Sequence, residues 1–194
     1  YIENHKIVAS REEVTDVTEI DASGRKVIPG LIDIHSHGAY GHDFSDGDAK
    51  GLEIILKYQR EHGITSYCPT SMTLPKDQLL AIFGTAAEVE GKEGCASIPG
   101  INMEGPFIDV KKKGAHVEEY IVKPDVEFFR ECNEKCGHLI RLVTLAPTAE
   151  GAMEFIDHVK DEVCISLGHT SADYEVAREA MRRGAHHITH LYNA

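Results

Sequence analysis

From Val27 onward, short apolar runs alternate with amphipathic stretches. Runs rich in branched residues cover Val27–Ile34, Ile64–Cys68, Ile98–Met103, Leu139–Leu145, Val163–Leu167 and His187–His190, and they predict six strands. Between them, apolar residues recur at helical spacing. Leu52, Ile55, Leu56 and Gln59 mark one helix, and Leu79, Leu80, Phe83, Ala86 and Ala87 a second. A third runs from Val126 to Arg130. Met153, Ile156 and Val159 share one face of a fourth, and Tyr174, Ala177, Ala180 and Met181 one face of a fifth. Gly63 and Gly184 close the first and last helices, and Thr170–Asp173 reads as a helix start. Strands that alternate with helices predict a parallel sheet. Residues 1–26 differ: Lys6–Ala9 and Glu13–Ile20 carry β-type runs, and Asp21–Gly24 reads as a turn. The expected organisation is therefore a partial small β domain over 1–26 and an α/β unit over 27–194.

An open doubly wound sheet and a (β/α) barrel both satisfy this alternation. No Gly-x-Gly-x-x-Gly follows the first strand, and no Gly-rich loop ends in Lys-Ser or Lys-Thr, so a dinucleotide or P-loop fold is disfavoured. The placement of polar residues favours the barrel. His35 and His37 stand two apart at the end of the first strand, where period-two geometry puts both on one face together with Asp33, which is placed to orient a ligand. Glu104 closes the third strand before Gly105-Pro106. His169 follows the fifth strand and His190 ends the sixth. Each alone is an ordinary surface or structural residue. In a parallel barrel, however, all C-terminal strand ends meet at one mouth. His35, His37, Glu104, His169 and His190 would then share one or two divalent ions, and the nitrogen–oxygen donor mix suits Zn or Fe better than Mg or Ca. Lys111–His116 reads equally as a solvated basic loop or as a substrate loop carrying His116. His186 and His187 are expected to be structural.

Composition narrows the partners. The formal charge of −12 argues against a nucleic-acid partner, whose phosphates need Lys and Arg. No apolar stretch approaches the roughly 20 residues of a membrane span. Five cysteines without paired metal spacing suit a reduced, cytoplasmic setting and offer no thiol nucleophile. The 194 residues fall short of the about 250 of a complete eight-fold barrel.

Val27–Gly38, with its Pro-Gly-Leu-Ile-Asp-Ile-His-Ser-His core, resembles the first strand of the amidohydrolase superfamily. Glu104–Phe107, Lys112–His116, Leu145–Pro147, Ser166–Ser171 and Thr189–Ala194, in that order, are similar to the N-acetylglucosamine-6-phosphate deacetylases. The resemblance implies a TIM-like (β/α) barrel of the metal-dependent amidohydrolase type, incomplete at about six βα units. It implies hydrolysis of the acetamide of N-acetylglucosamine 6-phosphate in amino-sugar catabolism. Glu104, His169 and His190 match the ligands of the always-present metal, and His35 and His37 the pair used with a second. His116 matches a residue that polarises the acetyl carbonyl, and Asn193 and Ala194 match contacts to the sugar phosphate. Family members are commonly oligomeric, so a homo-oligomer is possible. The family's proton-shuttling aspartate comes from an eighth strand. A chain ending after six strands is therefore expected to be truncated and inactive alone. Another amidohydrolase acting on a cyclic amide or nucleobase, and a noncatalytic metal- or sugar-phosphate-binding fragment, remain the alternatives.

Overall fold

The computed structural model describes residues 1–3, 6–14 and 17–193. Six parallel strands run side by side in chain order. They are β3 (Leu31–Ser36), β6 (Ile64–Pro69), β7 (Ile101–Glu104), β8 (Ile140–Leu145), β9 (Cys164–Leu167) and β10 (His187–Ile188). β3 pairs with β6, and β7 through β10 form one sheet. Parallel bridges from Ser66 to Ser97 and from Thr70 to Asn102 join the two groups into one arc. Helices α1 (Ala49–Glu61), α2 (Lys76–Val89), α3 (Val126–Lys135), α4 (Ala152–Val159) and α5 (Tyr174–Arg183) fill the crossovers. This is the α/β arrangement that the alternating pattern predicts.

Two strands start three or four residues later than expected, each after a Pro-Gly pair, while β8 and β9 start one residue later and β10 stops at Ile188, two residues before His190. β3 begins at Leu31, after Pro29-Gly30, where the Leu31 amide first finds the Gly63 carbonyl at 2.9 Å. It then runs to Ser36, so His35 lies inside the strand. β7 begins at Ile101, after Pro99-Gly100. Upstream, the Ile98 amide donates instead to the Glu90 carboxylate at 2.6 Å. Gly38–Gly47 is more ordered than a loop. Strands β4 (Gly38–Ala39) and β5 (His42–Asp43) form a small hairpin, followed by a 3-10 turn in which buried Phe44 anchors against Phe83. Near the start, β1 (Ile2–Glu3) and β2 (Lys6–Ile7) pair antiparallel. Among the described residues of Glu13–Ile20 there is no strand. Asp21 accepts the Ser23 amide, as the turn there requires.

Side-chain alternation separates the two faces of the arc. Met103, Val143, Leu145, Ile165 and Leu167 face the helices and join Leu52, Ile55, Phe83, Phe129, Phe155 and Ile156 in one buried core. Asn102, Glu104, Thr144, Ser166, His187 and Thr189 fall on the opposite, concave face, as the registers Glu104–Thr144, Thr144–Ser166 and His187–Ser166 require. The apolar face gives the sheet its stability and the polar face is left for chemistry. Phe155 sits at the centre of the core, its ring 5.2 Å from Phe107 and 6.0 Å from Phe129. Phe155→Ala is expected to cost about 3–5 kcal/mol of unfolding free energy, as buried aromatic truncations do. Urea unfolding followed by circular dichroism measures it, and a change under about 1 kcal/mol would contradict this view of the core.

Candidate metal centre

The strand ends bring their polar side chains to one point. Glu104, only 1% exposed, ends β7 with its carboxylate on the concave face. Gly105 follows with φ +71°, and a side chain there would strike the Thr73 hydroxyl, so glycine lets the chain turn sharply away from the carboxylate. Around Glu104, Oε2 lies 3.3 Å from His35 Nε2 and 3.1 Å from His37 Nε2. Its Oε1 lies 3.0 Å from His169 Nε2 and 3.3 Å from His190 Nε2. His169 and His190 present their Nε2 atoms to each other at 3.0 Å. Both leave their strands in left-handed backbone conformations, φ 48° and 31°, which non-glycine residues adopt mainly where the surroundings enforce it. The five residues expected to share metal ions therefore converge around one carboxylate.

The outer nitrogens decide what the inner ones offer. His37 Nδ1 donates to the Thr70 carbonyl at 3.0 Å, and His169 Nδ1 donates to the Lys112 carbonyl at 2.9 Å. In a neutral imidazole this leaves a lone pair on each Nε2, pointing at a carboxylate oxygen. Lone pairs so close repel unless a proton or a cation lies between them. Four imidazole nitrogens and one buried carboxylate, two of the rings braced through carbonyls, form a donor set that fits a divalent transition metal. His35 differs: its Nδ1 faces the Asn102 amide nitrogen at 3.3 Å. Asp33 does not meet an imidazole; its carboxylate accepts the His35 backbone amide at 2.9 Å.

Charge follows from the same contacts. Burial alone would raise the pKa of Glu104, but the imidazoles of His169, His35 and His37, which bond to it when their Nε2 atoms carry a proton, outweigh it and hold the carboxyl far below the usual range. The hydrogen bond to Glu104 raises the pKa of His37. Burial works against a charged His169, yet its bonds to Glu104 and the Lys112 carbonyl win and raise it. His190 is lowered, by burial first and then by the charge of His169.

His116 is brought into the same site, on the loop after β7. It is buried, its ring is 4.6 Å from that of His169, and its Nε2 is 3.8 Å from Glu104 Oε2. The basic loop is thus not merely solvated. His116 Nδ1 receives the Thr73 backbone N–H at 3.0 Å, and a backbone amide can only donate. The ring proton is therefore on Nε2. Burial, then the neighbouring His169, pushes the His116 pKa down to about 4, so the ring stays neutral at pH 7 with an N–H facing the centre.

Asn193 lies three residues beyond His190, its amide on the His190 carbonyl and its side chain exposed. Ala194 lies outside the described residues. His187 sits below the mouth, bonded to Ser166, in the structural place expected for it. His186 bonds the Gly184 carbonyl at the surface. All five cysteines are free thiols, and burial pushes Cys68 up to about 11 and Cys132 up to about 12. Protonated thiols are poor nucleophiles. No helix among the described residues is long and apolar enough to cross a membrane. Sequence reasoning passed over Thr70, Thr73, Asn102 and the Lys112 carbonyl. Three of these act wholly or partly through backbone groups, which no residue pattern reveals.

A parallel β/α arc with a histidine–carboxylate cluster at its C-terminal strand ends is the arrangement of a (β/α) barrel with a candidate metal site at its mouth. Residues 26–194 match the amidohydrolase family, and the chain belongs to it. Its similarities within that family are narrow. It is 41% identical over 182 residues to N-acetylglucosamine-6-phosphate deacetylase of Bacillus subtilis, a match covering 91% of this chain and 46% of that protein. The human protein of the same name is 35% identical over 180 residues, covering 90% and 44%. Among solved structures, N-acetylglucosamine-6-phosphate deacetylase from Pasteurella multocida superposes with a TM-score of 0.83 at 32% identity, over 95% of this chain and 48% of that one. The Mycobacterium smegmatis enzyme, a mutant solved in complex with N-acetyl-D-glucosamine-6-phosphate, gives 0.80 at 30% identity, over 86% and 43%. The chain spans about half the length of the curated relatives it matches.

Proposed function

We propose that this chain supplies the metal-binding side of a site that hydrolyses the acetamide of N-acetylglucosamine 6-phosphate to glucosamine 6-phosphate and acetate. The observation that carries the proposal is the Glu104 carboxylate, buried and met by four imidazole nitrogens within 3.3 Å, with the Nε2–H of His116 beside it. Glu104, His169 and His190 would hold one ion. His35 and His37, with Glu104, would hold a second. The donor set favours Zn or Fe. A divalent cation held there would supply Lewis acidity toward water and the acetyl carbonyl.

The protein's own groups supply the rest. The Nε2–H of His116 donates to the acetyl oxygen, and this bond strengthens as the oxygen gains negative charge on attack. The Thr73 amide matters here, because by occupying Nδ1 it fixes the single proton of the neutral ring on Nε2, where the donor is needed. The leaving amine needs a general acid, and Glu104, occupied by four imidazoles, is not free to be it. Asn193 and Ala194 would touch the sugar phosphate. A role in amino-sugar catabolism, in the cytoplasm and as a homo-oligomer, goes with this reading, and free buried thiols are compatible with a reducing compartment.

The test is acetate release from N-acetylglucosamine 6-phosphate, with a cyclic amide such as dihydroorotate assayed beside it. It is run on the chain alone and on the chain extended by the remaining half of its Bacillus subtilis relative. The extended protein is expected to release acetate, and to stop when stripped of metal. Hydrolysis of the cyclic amide alone, or tight metal binding without any hydrolysis, would overturn the proposal.

A further inference from the structure

The ligand histidines are not held alike. His37 and His169 are each braced by a carbonyl on Nδ1. His190 Nδ1 is buried without a hydrogen-bond partner. Nothing on its ring therefore fixes its direction except the centre itself, and its position must come from the backbone that carries it. β10 is two residues long and pairs only with β9.

What does hold this segment is the residue before the ligand. Thr189 is buried, and its amide donates to the Leu167 carbonyl at 2.9 Å. Its hydroxyl lies 2.8 Å from the Thr144 hydroxyl on β8 and 2.6 Å from the Ser166 hydroxyl on β9. Ser166 in turn meets His187 Nδ1 at 2.9 Å, at the start of β10. These hydroxyls form a layer directly beneath the metal centre and cross-link three strands. Gly168 leaves the room for it: a Cβ there would lie 2.7 Å from Thr189 Cβ and 2.8 Å from Thr144 Cγ2.

We propose that Thr189 is a positioning residue for His190, acting through its hydroxyl rather than its bulk; the inference rests on the reading of His190 as a metal ligand. Valine keeps the shape of threonine but cannot bond Thr144 or Ser166, and it leaves both of those buried hydroxyls short of a partner. Serine keeps the bond and loses only a methyl group.

The test uses the 194-residue chain and Zn²⁺, with affinity measured by competition against a chromophoric chelator and His190→Ala as the benchmark. Visible absorption of the Co²⁺ form reads the ligand geometry, and melting of the metal-free chain reads the fold. Thr189→Val is expected to weaken binding about 10- to 100-fold, the range for residues that orient a ligand, and to change the Co²⁺ bands. Thr189→Ser is expected to stay within about threefold of the unaltered chain. Ser166→Ala, which removes one of the two partners while leaving Thr189 in place, is expected to fall between, and it decides the matter should Thr189→Val not fold. Unchanged affinity and spectrum in Thr189→Val, or in Ser166→Ala if that variant must decide, would overturn this inference alone. So would a Thr189→Ser loss as large as that of valine. Absence of Zn²⁺ binding by the unaltered chain would overturn it together with the metal-centre reading.

Discussion

Glu104→Gln is expected to lose divalent metal almost completely. Glutamine has nearly the same shape and keeps one acceptor oxygen, but it removes the negative charge on which four imidazoles converge. Taking one member from a buried charged cluster costs roughly 3–5 kcal/mol, so the affinity should fall at least about a hundredfold. The loss should strike both halves of the centre together, because Oε1 faces His169 and His190 while Oε2 faces His35 and His37. Elemental analysis and a Zn²⁺ titration decide it. Affinity within about threefold of the unaltered chain would mean that Glu104 is a structural carboxylate. Loss of one ion with the other retained would mean that it does not bridge.

His116→Ala should behave in the opposite way. Metal content is expected to stay constant, while acetate release by the extended protein drops about 10²- to 10³-fold, as when a single oxyanion donor is removed. The fall should appear in kcat and kcat/KM alike, because the bond to the acetyl oxygen grows only as charge develops. A rise in KM with kcat unchanged would show that His116 binds the substrate without assisting its hydrolysis. The two substitutions thus separate holding the ion from using it, although the side chains lie 3.8 Å apart.

The parallel order of the six strands was legible because each apolar run is short and each intervening stretch has a clear helical face. The centre was legible for a related reason. In such a sheet every strand delivers the residues at and just past its C-terminal end to the same side, so His35, His37, Glu104, His169 and His190 could be gathered without knowing any contact. Other parts were hidden by their physics. β3 and β7 start later than hydrophobicity alone suggests, because Pro29-Gly30 and Pro99-Gly100 break the ladder before the apolar residues end. Thr73 acts through its amide and Lys112 through its carbonyl, groups that nearly every residue possesses. Asp33 misled because sharing a strand face with His35 does not fix where a short side chain points, and its carboxylate found the nearer backbone amide. Asn102, by contrast, left a readable trace: a polar residue two before Glu104 in an otherwise apolar strand belongs to the same inner face.

The support of His169 by the Lys112 carbonyl has a consequence for how this region tolerates change. The brace uses no part of the lysine side chain, so substitution at position 112 should be nearly silent for the ion. Adding or deleting a single residue between Pro106 and Lys112 would shift that carbonyl away from the imidazole and His116 away from Glu104 in the same step. The length of this stretch is under tighter restraint than its lettering.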